Sequence, residues 1–174
     1  MPFAARSVLA PALVLVAALS LAGCGKGGDS TPAPSSDTAV VAAAGPTADK
    51  GAATYGQICQ SCHQATGLGV DGTFPPLKGS KWLLGNADVP ISIVIAGLQG
   101  EIKVEGKEFN GVMQAWGMLS DDDVANVLTY ARSQWGNAAG AVTPAQVKAI
   151  RDKIGSRGAW TSEELKKSYP GAGG

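Results

Sequence analysis

The chain has 174 residues, a length that allows about one domain, with 14 basic and 14 acidic side chains in balance. That balance argues against a nucleic-acid-binding protein, which normally carries a basic stripe. Aromatic residues make up only 6% of the chain while glycine occurs 24 times, so a compact core of about 90 residues would be thin on its own. The composition therefore leaves room for a large apolar cofactor. The sequence holds three cysteines and a single histidine, and in an exported protein each cysteine needs a role.

The first segment predicts a targeting signal. Residues 1–7 hold one positive charge, Arg6, and residues 8–20 form an apolar run that is too short to span a bilayer comfortably. The run ends in Leu21-Ala22-Gly23-Cys24, which resembles the lipobox of bacterial lipoproteins. The resemblance implies a signal peptide over residues 1–23 and a lipid on Cys24. The alternative is ordinary signal cleavage with Cys24 as an incidental thiol.

A flexible tether is predicted over residues 24–48, because this stretch consists mainly of Gly, Ser, Thr, Pro, Ala and Asp. A lone acyl chain holds a protein to a membrane only weakly, but lipoproteins carry several. Lipid, tether and domain together predict a protein anchored on the periplasmic side of a bacterial membrane and free to reach its partners.

The first folded element carries a haem-attachment motif. Gly51, Tyr55, Cys59 and Cys62 recur at steps of four, four and three, which is helical spacing, and His63 follows at once. Such a helix projects two thiols side by side, as attachment to the two vinyl groups of a porphyrin requires, and places an imidazole under the iron. C-x-x-C-H is the signature of c-type haem attachment.

Other uses of these residues fit less well. A structural zinc site needs four ligands, and Cys59, Cys62 and His63 supply three. A thioredoxin-like pair would lie near a βαβ pattern, whereas the surroundings here are helical and glycine-rich. A plain disulfide is chemically allowed but leaves His63 without a purpose.

Over residues 49–137 the sequence resembles the class I cytochromes c. The resemblance rests on Gly51-x-x-x-Tyr55-x-x-x-Cys59-x-x-Cys62-His63 and on Phe74-Pro75-Pro76-Leu77-Lys78-Gly79, which looks like the Pro-x-Leu-x-Gly loop of that family. It implies an all-α class I cytochrome c fold, with short helices around one covalent haem c and a small β-hairpin. It also implies that Pro75 offers its carbonyl to the far ring nitrogen of His63, with Pro76 as the alternative if the register slips by one.

His63 fills one axial position, and because no second histidine exists the other ligand must be a methionine, another weaker donor or nothing. A methionine thioether is a soft ligand that favours reduced iron. Met113 and Met118 remain after signal removal, and both are expected in a loop before the last strong helix. Phe109-Asn110-Gly111-Val112-Met113 resembles the family's "NGxMP" loop, which implies Met113 as the ligand. Met118 is the alternative ligand, but its position two residues before Ser120 predicts that it packs in the loop. Gln114 stands where the family often has proline, so the sequence predicts a more labile methionine–iron bond.

Two elements are predicted between the motif and that loop. Asp88 can cap a short helix with Pro90 in its first turn and an apolar stripe of Ile91, Val94 and Ile95, which Gly97 ends. Residues 102–109 alternate around a Glu-Gly turn and predict a small hairpin.

A terminal helix is predicted from Ser120, a capping residue followed by three aspartates that suit the helix dipole, to Gly136. The resemblance implies that Val127 and Tyr130 of this helix meet Gly51 and Tyr55 of the first.

Residues 138–174 predict a C-terminal helical extension. Thr143-Pro144-Ala145-Gln146 resembles a capping box, and Thr161-Ser162-Glu163-Glu164 suits the start of a second short helix. The extension holds six basic and three acidic residues, against six and nine in residues 49–137. Either packing against the domain or contact with a partner would account for it.

The predicted function is electron transfer rather than catalysis, because two protein ligands leave the iron no open position. The segment LSDDDVANVLTYARSQWGN resembles cytochrome c subunits of membrane-bound oxidases and dehydrogenases, which implies redox proteins as donor and acceptor. A free-standing carrier and a subunit of such a complex stay open. The alternative function is a haem sensor or small-gas binder, which requires a displaceable Met113.

Overall fold

The computed structural model describes residues 47–174. The predicted signal peptide, the predicted lipid site at Cys24 and nearly all of the predicted tether lie outside the described residues. In residues 47–174 no helix is long and apolar enough to cross a membrane. The helices are α1 (Ala48–Thr54), α2 (Gln60–His63), α3 (Lys81–Leu84), α4 (Asp88–Ala96), α5 (Asp121–Ser133), α6 (Pro144–Ile154) and α7 (Ser162–Ser168), and the strands are β1 (Leu98–Val104) and β2 (Lys107–Met113). The predicted fold class, helical with a small hairpin, is confirmed.

The helical segment that carries the Cys59–His63 motif, called the motif helix, runs without a break over residues 48–63 but is not a uniform α-helix. Thr47 caps α1 by accepting the backbone N–H of Lys50, and a π-helical turn over Tyr55–Cys59 joins α1 to α2. Such turns are rare and occur often at functional sites. The regular helical spacing read from the sequence did not reveal this turn.

The crossing of the first helix on α5 is tight, as predicted. A Cβ atom on Gly51 would lie 2.1 Å from the carbonyl oxygen of Asn126 and 2.7 Å from Cβ of Tyr130, so only glycine allows this approach. The rings of Tyr55 and Tyr130 lie 5.3 Å apart. The prediction named Val127 opposite Gly51, but the closest group is the backbone of Asn126, because two helix backbones meet directly at this point.

Helix α5 begins as predicted, with the Ser120 hydroxyl accepting the N–H of Asp123 at 3.1 Å. It ends at Ser133, three residues before the predicted stop, and Trp135 and Gly136 follow with positive φ angles. One face of this helix, formed by Val124, Val127, Leu128 and Ala131, is buried.

Helix α4 differs from its prediction in two ways. Asp88 is the first residue of the helix rather than its cap, Ala87 precedes it without a side-chain capping bond, and the Asn86 side chain accepts the N–H of Asp88 at 3.0 Å. It is also buried on nearly every side rather than along one stripe. Ile91 and Ile95 pack in one core cluster while Val89 and Ile93 pack in the other. A helix that is apolar all round has to be covered on both sides.

The hairpin is longer than predicted. Strands β1 and β2 pair antiparallel from Leu98 opposite Met113 to Val104 opposite Lys107. Glu105 and Gly106 form the two-residue turn, both with positive φ, as the twist of tight hairpins favours. Met113 therefore ends a strand instead of lying in a loop.

The C-terminal extension packs against the rest of the described residues in one compact unit. Both of its helices begin with a complete capping box, at Thr143 and at Thr161. Val147 and Ile150 of α6 join the core cluster that contains α5, and Trp160, Leu165 and Tyr169 join the cluster that contains the hairpin. The extension is thus what covers the second side of α4.

Candidate haem-binding site

An apolar pocket opens between the motif helix, α4, α5 and the hairpin. Its empty space is about 700 Å³ with its open mouth included. Among the residues that line it are Cys59, His63, Pro75, Trp82, Ile93, Leu98, Ile102, Val104, Met113, Val127 and Leu128. Nearly all of these walls are hydrocarbon, so the pocket suits a large flat apolar group.

His63 is buried at the end of α2, and its orientation is fixed. Nδ1 lies 2.9 Å from the carbonyl oxygen of Pro75. Because a carbonyl only accepts, Nδ1 carries the proton and Nε2 keeps a free lone pair. Burial lowers the pKa of His63, against a smaller raising effect of the bond to Pro75, so the imidazole is held neutral as a metal ligand requires. The carbonyl that His63 meets belongs to Pro75 rather than to Pro76.

Cys59 and Cys62 are half-buried free thiols on the motif helix. Burial, followed by the neighbouring Cys62, raises the pKa of Cys59 to about 11, so this thiol is protonated at neutral pH. Cys59 lines the pocket beside His63. The two sulfurs and the imidazole therefore come from one helical segment.

The two candidate methionines are separated clearly by their exposure. Met113 is partly buried at the end of β2 and lines the pocket. Met118 is 78% exposed and is not among the lining residues. It was predicted to pack in its loop, but its side chain faces solvent instead. The pocket thus offers one imidazole nitrogen and one thioether sulfur from different elements.

Several wall residues escaped the sequence analysis. The short helix α3 places Trp82 in the wall, where its indole N–H donates to the carbonyl of Lys103 at 2.9 Å. Ile102 and Val104 of β1 face the pocket, although their alternation had suggested only a hairpin. The apolar pair Trp82-Leu83 after Ser80 was a signal that could have indicated α3.

The donor set fits a c-type haem better than it fits a zinc site or a thioredoxin-like pair. Across residues 47–174 no group of three or more His, Cys, Asp or Glu side chains is arranged to hold a metal ion, which disfavours zinc. The sheet in the same residues consists of two antiparallel strands, which is not the βαβ arrangement of a thioredoxin-like protein.

Comparisons with known proteins agree with this fit. The family model described as "Cytochrome C oxidase, cbb3-type, subunit III" matches residues 46–130. Cytochrome c-552 of Thermus thermophilus is 36% identical over 127 residues, which cover 60% of this chain and 96% of the relative. The cytochrome c subunit of alcohol dehydrogenase (quinone) of Gluconacetobacter polyoxogenes is 35% identical over 120 residues, 66% of this chain but 25% of that subunit. The gluconate 2-dehydrogenase cytochrome c subunit of Pantoea cypripedii is 34% identical over 116 residues, 62% of this chain and 25% of that subunit.

The fold, the pocket and these relatives define a haem-carrying electron-transfer protein, and the chain belongs to the class I c-type cytochromes. It is an electron carrier that holds one covalent haem c.

Proposed function

We propose that the chain transfers electrons through a haem attached to Cys59 and Cys62, with His63 and Met113 as its axial ligands. The observation that carries the proposal is that Cys59, His63 and Met113 line the same apolar pocket while Met118 does not. The haem supplies a one-electron change between ferrous and ferric iron.

The protein's residues account for the remaining properties of such a site. Pro75 fixes the tautomer and orientation of His63, which strengthens it as a ligand. The thioether of Met113 is a soft donor that favours reduced iron, and the hydrocarbon walls limit water, so both raise the reduction potential. Two protein ligands leave no open position for a substrate.

We further propose that the mature protein is anchored on the periplasmic side of a bacterial membrane through lipid on Cys24, after loss of residues 1–23. The lipobox-like Leu21-Ala22-Gly23-Cys24 supports this anchor, and the composition of residues 24–48 supports a tether between lipid and domain. The relatives named as cytochrome c subunits of dehydrogenases support a dehydrogenase as redox partner, and the family description, which names a subunit of an oxidase, supports an oxidase. The chain works there as a carrier or as a subunit.

Absorption spectra test the ligation. The haem-loaded protein should show a c-type spectrum, a far-red sulfur–iron band when oxidised, and no response to carbon monoxide when reduced. Met113→Leu should lose the far-red band and bind carbon monoxide, while the control Met118→Leu should retain the parental spectra. A parental protein that binds carbon monoxide would favour the sensor or gas-binding function instead.

Attachment and anchoring have separate tests. Replacing both Cys59 and Cys62 by Ala should abolish haem staining on denaturing gels, because no thiol then remains to hold the cofactor. Cys24→Ala should keep the stain and move the protein from the membrane fraction to the soluble fraction. Haem staining of the double variant would contradict the proposed attachment.

A further inference from the structure

The segment that follows β2 lacks the proline that would stiffen it, yet its backbone is held at several points. Gly97 packs against it so closely that a Cβ atom there would lie 2.7 Å from the carbonyl oxygen of Met113 and 3.1 Å from the nitrogen of Ala115. The N–H of Trp116 donates to the carbonyl of Val94 at 2.8 Å. The end of α4 thus supports the segment from one side.

The C-terminal extension supports the same segment through Arg151 of α6. Its Nη1 donates to the carbonyl of Gly117 at 2.7 Å and its Nη2 to the carbonyl of Leu119 at 2.8 Å. Its Nε lies 2.9 Å from the carboxylate of Asp121, and both of these side chains are about 30% exposed. One guanidinium therefore ties the chain between Met113 and α5 to a helix that begins 31 residues after Met113.

A second support comes from Trp160, which pairs with the outer edge of β1. The N–H of Trp160 donates to the carbonyl of Gly97 at 3.0 Å, and the carbonyl of Trp160 accepts the N–H of Gln99 at 2.8 Å. Leu98 lies between Gly97 and Gln99. Because backbone groups alternate in direction along a strand, the N–H and carbonyl of Leu98 point the other way, toward Met113, the residue opposite Leu98 in β2. Trp160, Leu98 and Met113 consequently form one row across the sheet.

The side chain of Trp160 holds that row in place. The indole is 4% exposed, and the guanidinium carbon of Arg157 lies 3.2 Å from the centre of its ring. Ser162 adds a hydrogen bond from its hydroxyl to the carbonyl of Glu101 at 2.7 Å, farther along β1. The extension is therefore fixed to the same strand edge at the alternate positions 97, 99 and 101.

We propose that Arg151 and Trp160 are positioning residues for Met113, through which the C-terminal extension keeps the sixth coordination position of the haem iron closed. The inference rests on Met113 being the axial ligand. The extension then supplies the stiffness that Gln114 does not, so the lability predicted from Gln114 alone is offset. Neither residue lines the pocket, so both act through the backbone of residues 97–99 and 113–119.

The test compares three variants on the same helix in the haem-loaded protein. Arg151→Gln removes the bonds to Gly117, Leu119 and Asp121. Lys148→Gln removes a charge of the same sign from an exposed ion pair with Asp152. Val147→Ala removes buried volume from α6 and lowers stability, but it removes none of the hydrogen bonds between Arg151 and the segment. Carbon monoxide binding to the reduced form and the far-red band of the oxidised form are measured for each.

The expected result is an increase of about ten-fold or more in the fraction of Arg151→Gln that binds carbon monoxide, since several hydrogen bonds are lost together. The far-red band should weaken and the midpoint potential should fall. Lys148→Gln and Val147→Ala should leave carbon monoxide binding at the parental level, although Val147→Ala melts at a lower temperature. The backbone amide of Trp116 should exchange its hydrogen faster only in Arg151→Gln.

Trp160 is tested by a matched pair. Trp160→Ala keeps the backbone N–H that donates to Gly97, whereas Trp160→Pro removes it as well, so the larger loss of the far-red band is expected in Trp160→Pro. The inference is overturned if Arg151→Gln and Trp160→Pro retain the full band and stay indifferent to carbon monoxide. A parental protein without the band would instead overturn the ligation by Met113, so the two failures are distinguishable.

Discussion

The two sides of the proposed haem site are built differently. On the His63 side, the two cysteines, the imidazole and the carbonyl of Pro75 all lie within 17 residues of one another, Cys59 to Pro75. On the Met113 side, the ligand ends a strand whose position depends on the end of α4 and on Arg151 and Trp160 of the extension, more than 35 residues later. One side is a local motif and the other is assembled from distant segments.

This difference indicates where the site is stable and where it can be adjusted. A ligand fixed by its own helix and a nearby loop should change only when the helix itself is displaced. A ligand held by long-range contacts should respond to substitutions that lie far from the pocket. Variants on each side can therefore weaken the two supports separately.

The largest effect is expected for Gly51→Ala on the His63 side. The new Cβ would lie 2.1 Å from the carbonyl oxygen of Asn126, so α1 and α5 must separate. We expect a loss of about 3 kcal/mol in the free energy of unfolding, measured by denaturant titration. The matched control is Gly56→Ala, whose Cβ would meet nothing closer than Gln60 Oε1 at 4.0 Å and should cost nothing. Equal stability of the two variants would contradict the crossing.

The next effect is expected for Gly97→Ala on the Met113 side, with Gly100→Ala as its control. Both glycines have φ near +80°, so each substitution should cost about 1 kcal/mol of backbone strain. Only Gly97→Ala also contacts the backbone of Met113 and Ala115, which should add about 1 kcal/mol. The far-red band should weaken in Gly97→Ala alone. If both variants kept the band equally, Gly97 would not support the methionine.

A smaller effect is expected for Tyr55→Phe. The Tyr55 hydroxyl donates to the carbonyl of Gln64 at 2.7 Å, and Gln64 has a positive φ directly after His63. Loss of this buried bond should lower the free energy of unfolding by about 1 kcal/mol, measured by denaturant titration. The band should be unchanged, since the contact lies on the His63 side. A weakened band would show that the two sides are coupled more closely than their contacts indicate.

The smallest effect concerns Glu164 at the start of α7. Hydrogen bonds from the backbone and hydroxyl of Thr161 hold the pKa of this carboxyl below its usual value. A depressed folded-state pKa contributes stability at neutral pH, which is lost as the pH falls from the ordinary carboxyl value through the lower folded one. Glu164→Gln keeps a side chain that can accept hydrogen bonds from Thr161 but cannot take up a proton. The free energy of unfolding should therefore change less with pH in that acidic range. An unchanged acid dependence of melting would contradict this role.

The sequence was most informative where the chemistry is local. The C-x-x-C-H motif, the capping residues Ser120, Thr143 and Thr161, and the turn at Glu105-Gly106 all depend on neighbouring residues, so their pattern predicts their structure. The bond between His63 and Pro75 came from the family resemblance, which supplied a partner 12 positions away.

The features that escaped prediction depend on residues far apart in the chain. Burial of α4 on all sides follows from the extension covering it, and a stripe of Ile91, Val94 and Ile95 could not show that. The supports of Met113 join β1, α6 and Trp160, which no local pattern connects. The missed helix α3 is only four residues long, too short for a periodic signal.

The π-helical turn at Tyr55–Cys59 has a consequence for the angular arrangement of the motif helix. Each residue of an α-helix turns the chain by about 100°, so an extra residue in one turn rotates everything that follows about the helix axis. The segment before the turn carries Gly51, which meets α5, and the segment after it carries Cys62 and His63. The turn thus sets the angle, about the helix axis, between the face that packs against α5 and the face that carries Cys62 and His63. This angle differs from the one that an unbroken α-helix would give.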